Sequence, residues 1–135
     1  MTHEVVGALI IQSRRILLGQ RSATRAFYPE VWDMFGGHVE PGEHHEQTLV
    51  RELKEELGIT PTEWKYLETV RLSLPESAEE MIVHLYLVTA WRGVPFNRQP
   101  EEHSVIHWFA LAEASRLQLA DSSYPMLFAR YLESE

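Results

Sequence analysis

The chain has 135 residues, 44% hydrophobic and 24% charged, with a net charge of -8 and no cysteine. A chain of this length and balance forms one domain, here residues 1–135, around one core, and without cysteine it has no disulfide, thiolate zinc site or cysteine nucleophile. The acidic balance and scattered Lys and Arg residues exclude DNA and RNA polymers as natural partners, and no segment approaches the roughly 20 apolar residues of a membrane helix.

The start Met1-Thr2-His3-Glu4 has none of the features of a signal peptide, so the cytoplasm is the expected compartment. Val5 to Ile11 is a β-branched and aliphatic run, Gln12 to Arg15 is polar and Ile16 to Leu18 is apolar again, which predicts a hairpin of two strands. Residues 19 to 35 carry Gly19, Ser22 and Pro29 without a helical period and read as an irregular loop ending in a short extended piece near Trp32 to Phe35, with Gly36-Gly37 as a sharp break.

After Pro41-Gly42, Leu49, Val50, Leu53 and Leu57 recur at helical spacing until Gly58, which predicts a helix over 45–57. Trp64 to Leu74 and Met81 to Trp91 read as strands joined by an acidic turn from Pro75 to Glu80, and Ile106 to Phe109 adds a short strand. Leu111 to Leu119 and Tyr124 to Leu132 read as helices. Strands grouped before and after one strong helix suggest an α+β sandwich with a mixed sheet.

The chemistry lies on the first helix. With Glu52 at zero on a helical wheel, Glu55 falls near roughly -60° and Glu56 near roughly +40°, so three carboxylates share a face. The leucines and Val50 occupy roughly +60° to +160°, which puts the acidic face at the rim of the core. Like charges at this spacing disfavour the helix unless a cation offsets them, and oxygen ligands without cysteine favour Mg²⁺ or Mn²⁺ over zinc. A solvated acidic face, with Arg51 and Lys54 pairing to neighbours, is the bland alternative.

Gly37, Glu43, Arg51-Glu52-Leu53, Glu55-Glu56 and Gly58-Ile59 stand at the spacing of the Nudix box, residues 37–59, and the chain resembles that family at every position of the motif. Flanking features, including Arg21, Trp32 to Gly37 and Trp108-Phe109, are also similar to the family, while Phe35, Thr48 and Leu49 depart from its common residues. The resemblance implies a Nudix-type α/β/α sandwich and a divalent-metal-dependent pyrophosphohydrolase acting on a nucleoside diphosphate derivative.

In enzymes of this kind the cations are bound by the residues corresponding to Glu52, Glu55 and Glu56, with the Gly36 carbonyl a further ligand and Glu102 an added candidate. Arg51 would orient carboxylates, and Glu43 would accept loop hydrogen bonds or hold a metal-bound water. Glu52 and Glu56 lead as general base, with Glu101 or Glu102 outside the box as alternatives. Arg21 could approach phosphate and Phe27, Trp32 or Phe35 could stack on a base, although rings near loops more often pack. The six histidines after His3 receive no catalytic role.

A nucleoside triphosphate is the implied substrate, with an oxidised guanine nucleotide such as 8-oxo-dGTP one candidate. ADP-ribose, nucleotide sugars and dinucleoside polyphosphates are alternatives, because the box recognises metal and diphosphate while other loops select the attached group. Isopentenyl diphosphate isomerase is a relative in appearance, but its chemistry needs the cysteine this chain lacks. A nucleotide-sensing domain is the reading from another class, and the intact acidic positions argue against it. A homodimer is the expected assembly.

Overall fold

The apolar run near the N-terminus forms β1 (Thr2–Gln12), the central strand. Its alternate side chains enter two separate cores: Val5, Leu9 and Ile11 join one, and Val6, Ala8 and Ile10 the other. A strand covered on both faces is continuously hydrophobic, as this sequence is.

In the computed structural model, which describes residues 2–23, 30–73 and 80–132, β1 turns through Ser13 and Arg14 into β2 (Arg15–Arg21). Both turn residues have positive φ, 52° and 60°, the sign a tight two-residue hairpin needs to match strand twist. There follow β3 (Trp32–Asp33), β4 (Phe35–His38), α1 (His45–Leu57), β5 (Thr60–Ser73), β6 (Glu80–Arg92), β7 (His103–Ala110), α2 (Leu111–Ala114) and α3 (Tyr124–Leu132).

The main strand order is β3-β2-β1-β6-β5, with β4 paired to β1 and β7 to β2. The β1–β6 pair is parallel and the other pairs are antiparallel, so the sheet is mixed. On one face α1 sets Leu49, Leu53 and Leu57 against Val6, Ala8, Ile10, Tyr86 and Val88. On the other, α3 sets Leu127, Phe128 and Leu132 against Val5, Leu9, Val83 and Leu85. The result is the expected α/β/α sandwich of α+β character. No helix among the described residues is long and apolar enough to cross a membrane.

Four local expectations need correction. Gly36-Gly37 does not break the chain: both lie inside β4, opposite Gly7 and Val6 of β1. The span 19–35 is less irregular than its composition suggests, since β2 continues to Arg21 and Gln20 and Gly19 pair with Trp32 and Asp33. The helix expected over 111–119 stops at Ala114, because the following chain is drawn to the sheet edge, where Trp32 N–H donates to Gln118 O at 2.9 Å and Ala120 N–H to Trp32 O at 2.9 Å. Strand β5 begins four residues before Trp64, and Pro61 is tolerated there because β5 is an edge strand. The acidic turn from Pro75 to Glu80 falls outside the described residues except for Glu80, which opens β6.

Candidate active site

Helix α1 supplies the acidic cluster, and three devices fix it in place. Its start is tied by His44 N–H donating to Gln47 Oε1 at 2.8 Å, and its end by Gly58, whose N–H donates to Lys54 O at 3.0 Å in the left-handed conformation suited to glycine. Between them Leu49, Leu53 and Leu57 are fully buried, which locks the helix's rotation. Glu56, at the edge of that stripe, is 6% exposed, while Glu52 is partly buried and Glu55 is half exposed.

Glycines in β4 let this cluster close. A Cβ at Gly36 would lie 1.9 Å from Val6 O, and one at Gly37 would lie 2.4 Å from Glu52 Cδ. Only glycine lets β4 fit between β1 and α1 at this distance. In that gap Gly36 N–H donates to Glu56 Oε1 at 2.9 Å.

A third segment completes the cluster. Phe96 N–H donates to Leu57 O and Arg98 N–H to Glu56 O, which straps the chain before β7 to the end of α1. Ser22 N–H donates to Glu102 O at 2.9 Å, and Asn97 Nδ2 donates to His103 O at 2.7 Å. Glu102 and His103 are thereby delivered to Glu56, and the ligand atoms of the three lie within 4.8 Å of one another. His103 is 4% exposed, with Nε2 4.0 Å from Glu56 Oε2.

Burial pushes the Glu56 carboxyl well above the ordinary carboxylate range; the Gly36 N–H opposes that rise, and the negative charges of Glu52 and Glu102 add to it. Glu52 is also raised by burial, against the opposing hydrogen bond from Arg51. Carboxylates pressed together this way, with an imidazole alongside and a glycine strand closing over them, fit a hard divalent cation. Glu52, Glu56, Glu102 and the Gly36 carbonyl are the oxygen donors that could hold it.

Arg51 organises the opposite side. Its guanidinium grips Glu43 through both oxygens, Nε to Oε2 at 2.8 Å and Nη2 to Oε1 at 3.0 Å, and donates to Glu52 Oε1 at 2.8 Å and His38 O at 3.0 Å. It also lies 3.5 Å from Glu55 and 3.2 Å from Glu40. Glu43 further accepts from Thr48 Oγ1 at 2.6 Å and Glu40 N–H at 3.1 Å. Arg51, then Thr48, hold its carboxyl down at about 2.

The cluster opens into a cavity of about 460 Å³. Glu52, Glu56, Glu102 and His103 line one end; Arg21, Asp33, Asp121 and Tyr124 also line it, with Val5, Gly7, Met34 and Val83 as apolar wall. Arg21 sits 3.6 Å from Asp33, whose Oδ1 accepts Met34 N–H at 2.8 Å.

The sequence-predicted residues thus divide. Gly36, Arg51, Glu52, Glu56, Glu102 and Arg21 all line the cavity, whereas Glu43 and Glu55 do not. Phe35 also lines the cavity but is 1% exposed, with its ring packed against that of His103. Trp32 is likewise committed, edge-on to Phe109 at 4.9 Å, and does not line the cavity. Phe27 lies outside the described residues. Sequence reasoning gave no role to His103, Asp33, Asp121 and Tyr124; of these His103, directly after Glu101-Glu102, and Asp33, directly after Trp32, stood beside residues already suspected.

Comparison with known proteins shows the family. The NUDIX domain family profile matches residues 1–129. The chain is 38% identical to the CTP pyrophosphohydrolase of Escherichia coli K12 over 128 residues, covering 93% of this chain and 89% of that one. It is 29% identical to the 8-oxo-dGTP diphosphatase of the same organism, covering 90% of each. A MutT Nudix hydrolase from Burkholderia pseudomallei superposes with a TM-score of 0.86 at 29% identity, over 97% of this chain and 98% of that one. A glycine-bounded strand and an acidic helix built around one arginine, together with these likenesses, place the chain in the Nudix hydrolase family.

Proposed function

We propose that the chain hydrolyses nucleoside triphosphates to the monophosphate and pyrophosphate, using Mg²⁺ or Mn²⁺ held by Glu52, Glu56, Glu102 and the Gly36 carbonyl. The observation that carries this reading is the buried Glu56, hemmed by two further carboxylates at the end of a cavity of about 460 Å³, a size suited to a small-molecule ligand. Both relatives named above carry names of nucleoside triphosphate hydrolases, which favours a triphosphate over ADP-ribose or a nucleotide sugar.

When bound, a divalent cation lowers the pKa of a coordinated water and offsets charge on the phosphate oxygens. The protein's own groups do the rest. Glu52 accepts the proton of the attacking water: it lines the cavity, and Arg51 fixes it through Oε1, which leaves Oε2 turned to the cation and its water. Glu56 is held by Gly36 N–H and stays a fixed anionic ligand. Arg51 and Glu43 act as positioning residues, one pinning Glu52 and the other pinning Arg51. Arg21 supplies a cationic group within the cavity, and the apolar wall accepts the base. Glu55, half exposed beside Arg51, is a peripheral ligand in this scheme. The same reading takes monomeric nucleotides as partners, a homodimer as the assembly and the cytoplasm as the compartment.

The test is product analysis with CTP, dCTP, 8-oxo-dGTP, ADP-ribose and a nucleotide sugar, with Mg²⁺ or Mn²⁺ and with chelator. The expected result is chelator-sensitive release of pyrophosphate, not phosphate, from a triphosphate. Preferred turnover of ADP-ribose or a sugar nucleotide would reject the substrate class; tight binding of a nucleotide without turnover would reject hydrolysis.

A further inference from the structure

A second group of side chains with metal-ligand chemistry lies on the opposite face of β1. His3, Val5 and Gly7 line the cavity, while the alternate residues Val6, Ala8 and Ile10 pack in the core under α1, with Val6 also reaching the cavity. Glu4 belongs to that second face, as does His84 on the parallel neighbour β6, and His45 is the first residue of α1 above them. Glu4 Oε1 is 2.9 Å from His45 Nε2 and 2.8 Å from His84 Nε2, and the three atoms lie within 4.8 Å of one another. The two imidazoles stack with centroids 3.8 Å apart and planes 19° apart.

The surroundings are built for a ligand role. His84 Nδ1 lies 2.9 Å from Thr69 Oγ1, which in turn lies 2.7 Å from Tyr66 OH. A partner on the second ring nitrogen fixes the ring and its tautomer, the arrangement that metal-ligating histidines adopt. In the tautomer whose Nδ1–H donates to Thr69, Nε2 turns a lone pair toward Glu4, which is the position a cation would occupy.

We propose that Glu4, His45 and His84 bind one Zn²⁺-class transition-metal ion, independent of the cation site in the box. Two imidazoles and one carboxylate, with the remaining position open to water, form a recognised three-ligand zinc set. Bond lengths of about 2.1 Å set a tetrahedral edge of about 3.4 Å, so Glu4 Oε1 would part from the two nitrogens by about half an ångström, and the His45 ring would turn out of its stack on His84 so that both lone pairs converge on the ion. Glu4, 49% exposed, and His45, on the first turn of α1, have room for that. Imidazole donors favour zinc, whereas the oxygen-rich box favours Mg²⁺ or Mn²⁺. An ion here would tie the start of α1 to β1 and β6, adding stability without touching the cavity.

Zn²⁺ titration calorimetry on the full chain, in excess Mg²⁺ to occupy the box, tests this directly. The expected result is one tight equivalent in wild type and in Glu56→Gln, weakened at least tenfold in His84→Ala and in His45→Ala. His45→Ala, at an exposed helix start, keeps its circular dichroism spectrum and its Mg²⁺-dependent turnover. Co²⁺ should give a visible absorption band that both histidine variants lose. Absence of Zn²⁺ binding in wild type, equal binding in both histidine variants, or its loss in Glu56→Gln alone would overturn the proposal.

Discussion

Glu43, just before helix α1, and Glu56, in its last turn, meet opposite environments. Glu43 is gripped by a bidentate guanidinium and two further donors, and its carboxyl is held near 2. Glu56 is buried, receives one backbone N–H, and faces other carboxylates, so its carboxyl is pushed up. The first charge is fully compensated within the protein and builds the site. The second is left to be compensated by something bound, which is the physical sense of a binding carboxylate.

The comparison breaks most visibly if Glu56 is neutralised. Glu56→Gln keeps an acceptor for Gly36 N–H but loses the charge, so turnover should fall about 10³-fold while the fold survives. Steady-state rates and circular dichroism check this; near-normal turnover would remove Glu56 from the mechanism. Arg51→Lys comes next, because an ammonium cannot grip Glu43 bidentately and still reach Glu52. Its kcat should drop about 10- to 100-fold, the usual cost of losing an outer partner of a metal ligand, and a change of less than twofold would deny Arg51 its positioning role.

Smaller but more diagnostic is the pH dependence of the two carboxylates, measured as urea stability without divalent cations. The Glu43 carboxyl is depressed from 4.5 to about 2, so its stabilising contribution is present above pH 4.5 and lost as pH falls toward 2. Wild type should therefore exceed Glu43→Gln in stability at pH 7, with the gap closing in acid. The raised Glu56 works in the opposite sense: its contribution is present below the ordinary carboxylate range and lost as pH rises. Glu56→Gln should match wild type at pH 4 and exceed it at pH 8. Parallel curves for the two variants would contradict the contrast.

The compensated half of the site was more legible in sequence than the binding half. Helix α1 ran as expected from His45 to Leu57 because a leucine stripe and a glycine stop are local signals. The wheel put Glu56 nearest that stripe, and it is the buried carboxylate of the three. Gly36-Gly37 was misread as a break because the need for two glycines comes from Val6 and Glu52, which are remote in sequence. His103, Asp121 and Tyr124 reach the cavity only through the strap on α1 and the packing of α3, tertiary events without a periodic signature. The packing of Trp32 on Phe109 and of Phe35 on His103 was equally out of reach of the sequence, since those partners are remote along the chain.

If Glu56 is left uncompensated in order to hold a cation, thermal melting at pH 8 with and without saturating Mg²⁺ will show it. Ligand at about 100 times its dissociation constant adds about 2.7 kcal/mol, or about 5 to 10 °C for a domain of this size. Wild type should show that rise and Glu56→Gln should show little of it. Equal shifts in the two proteins, or none in wild type, would contradict the account.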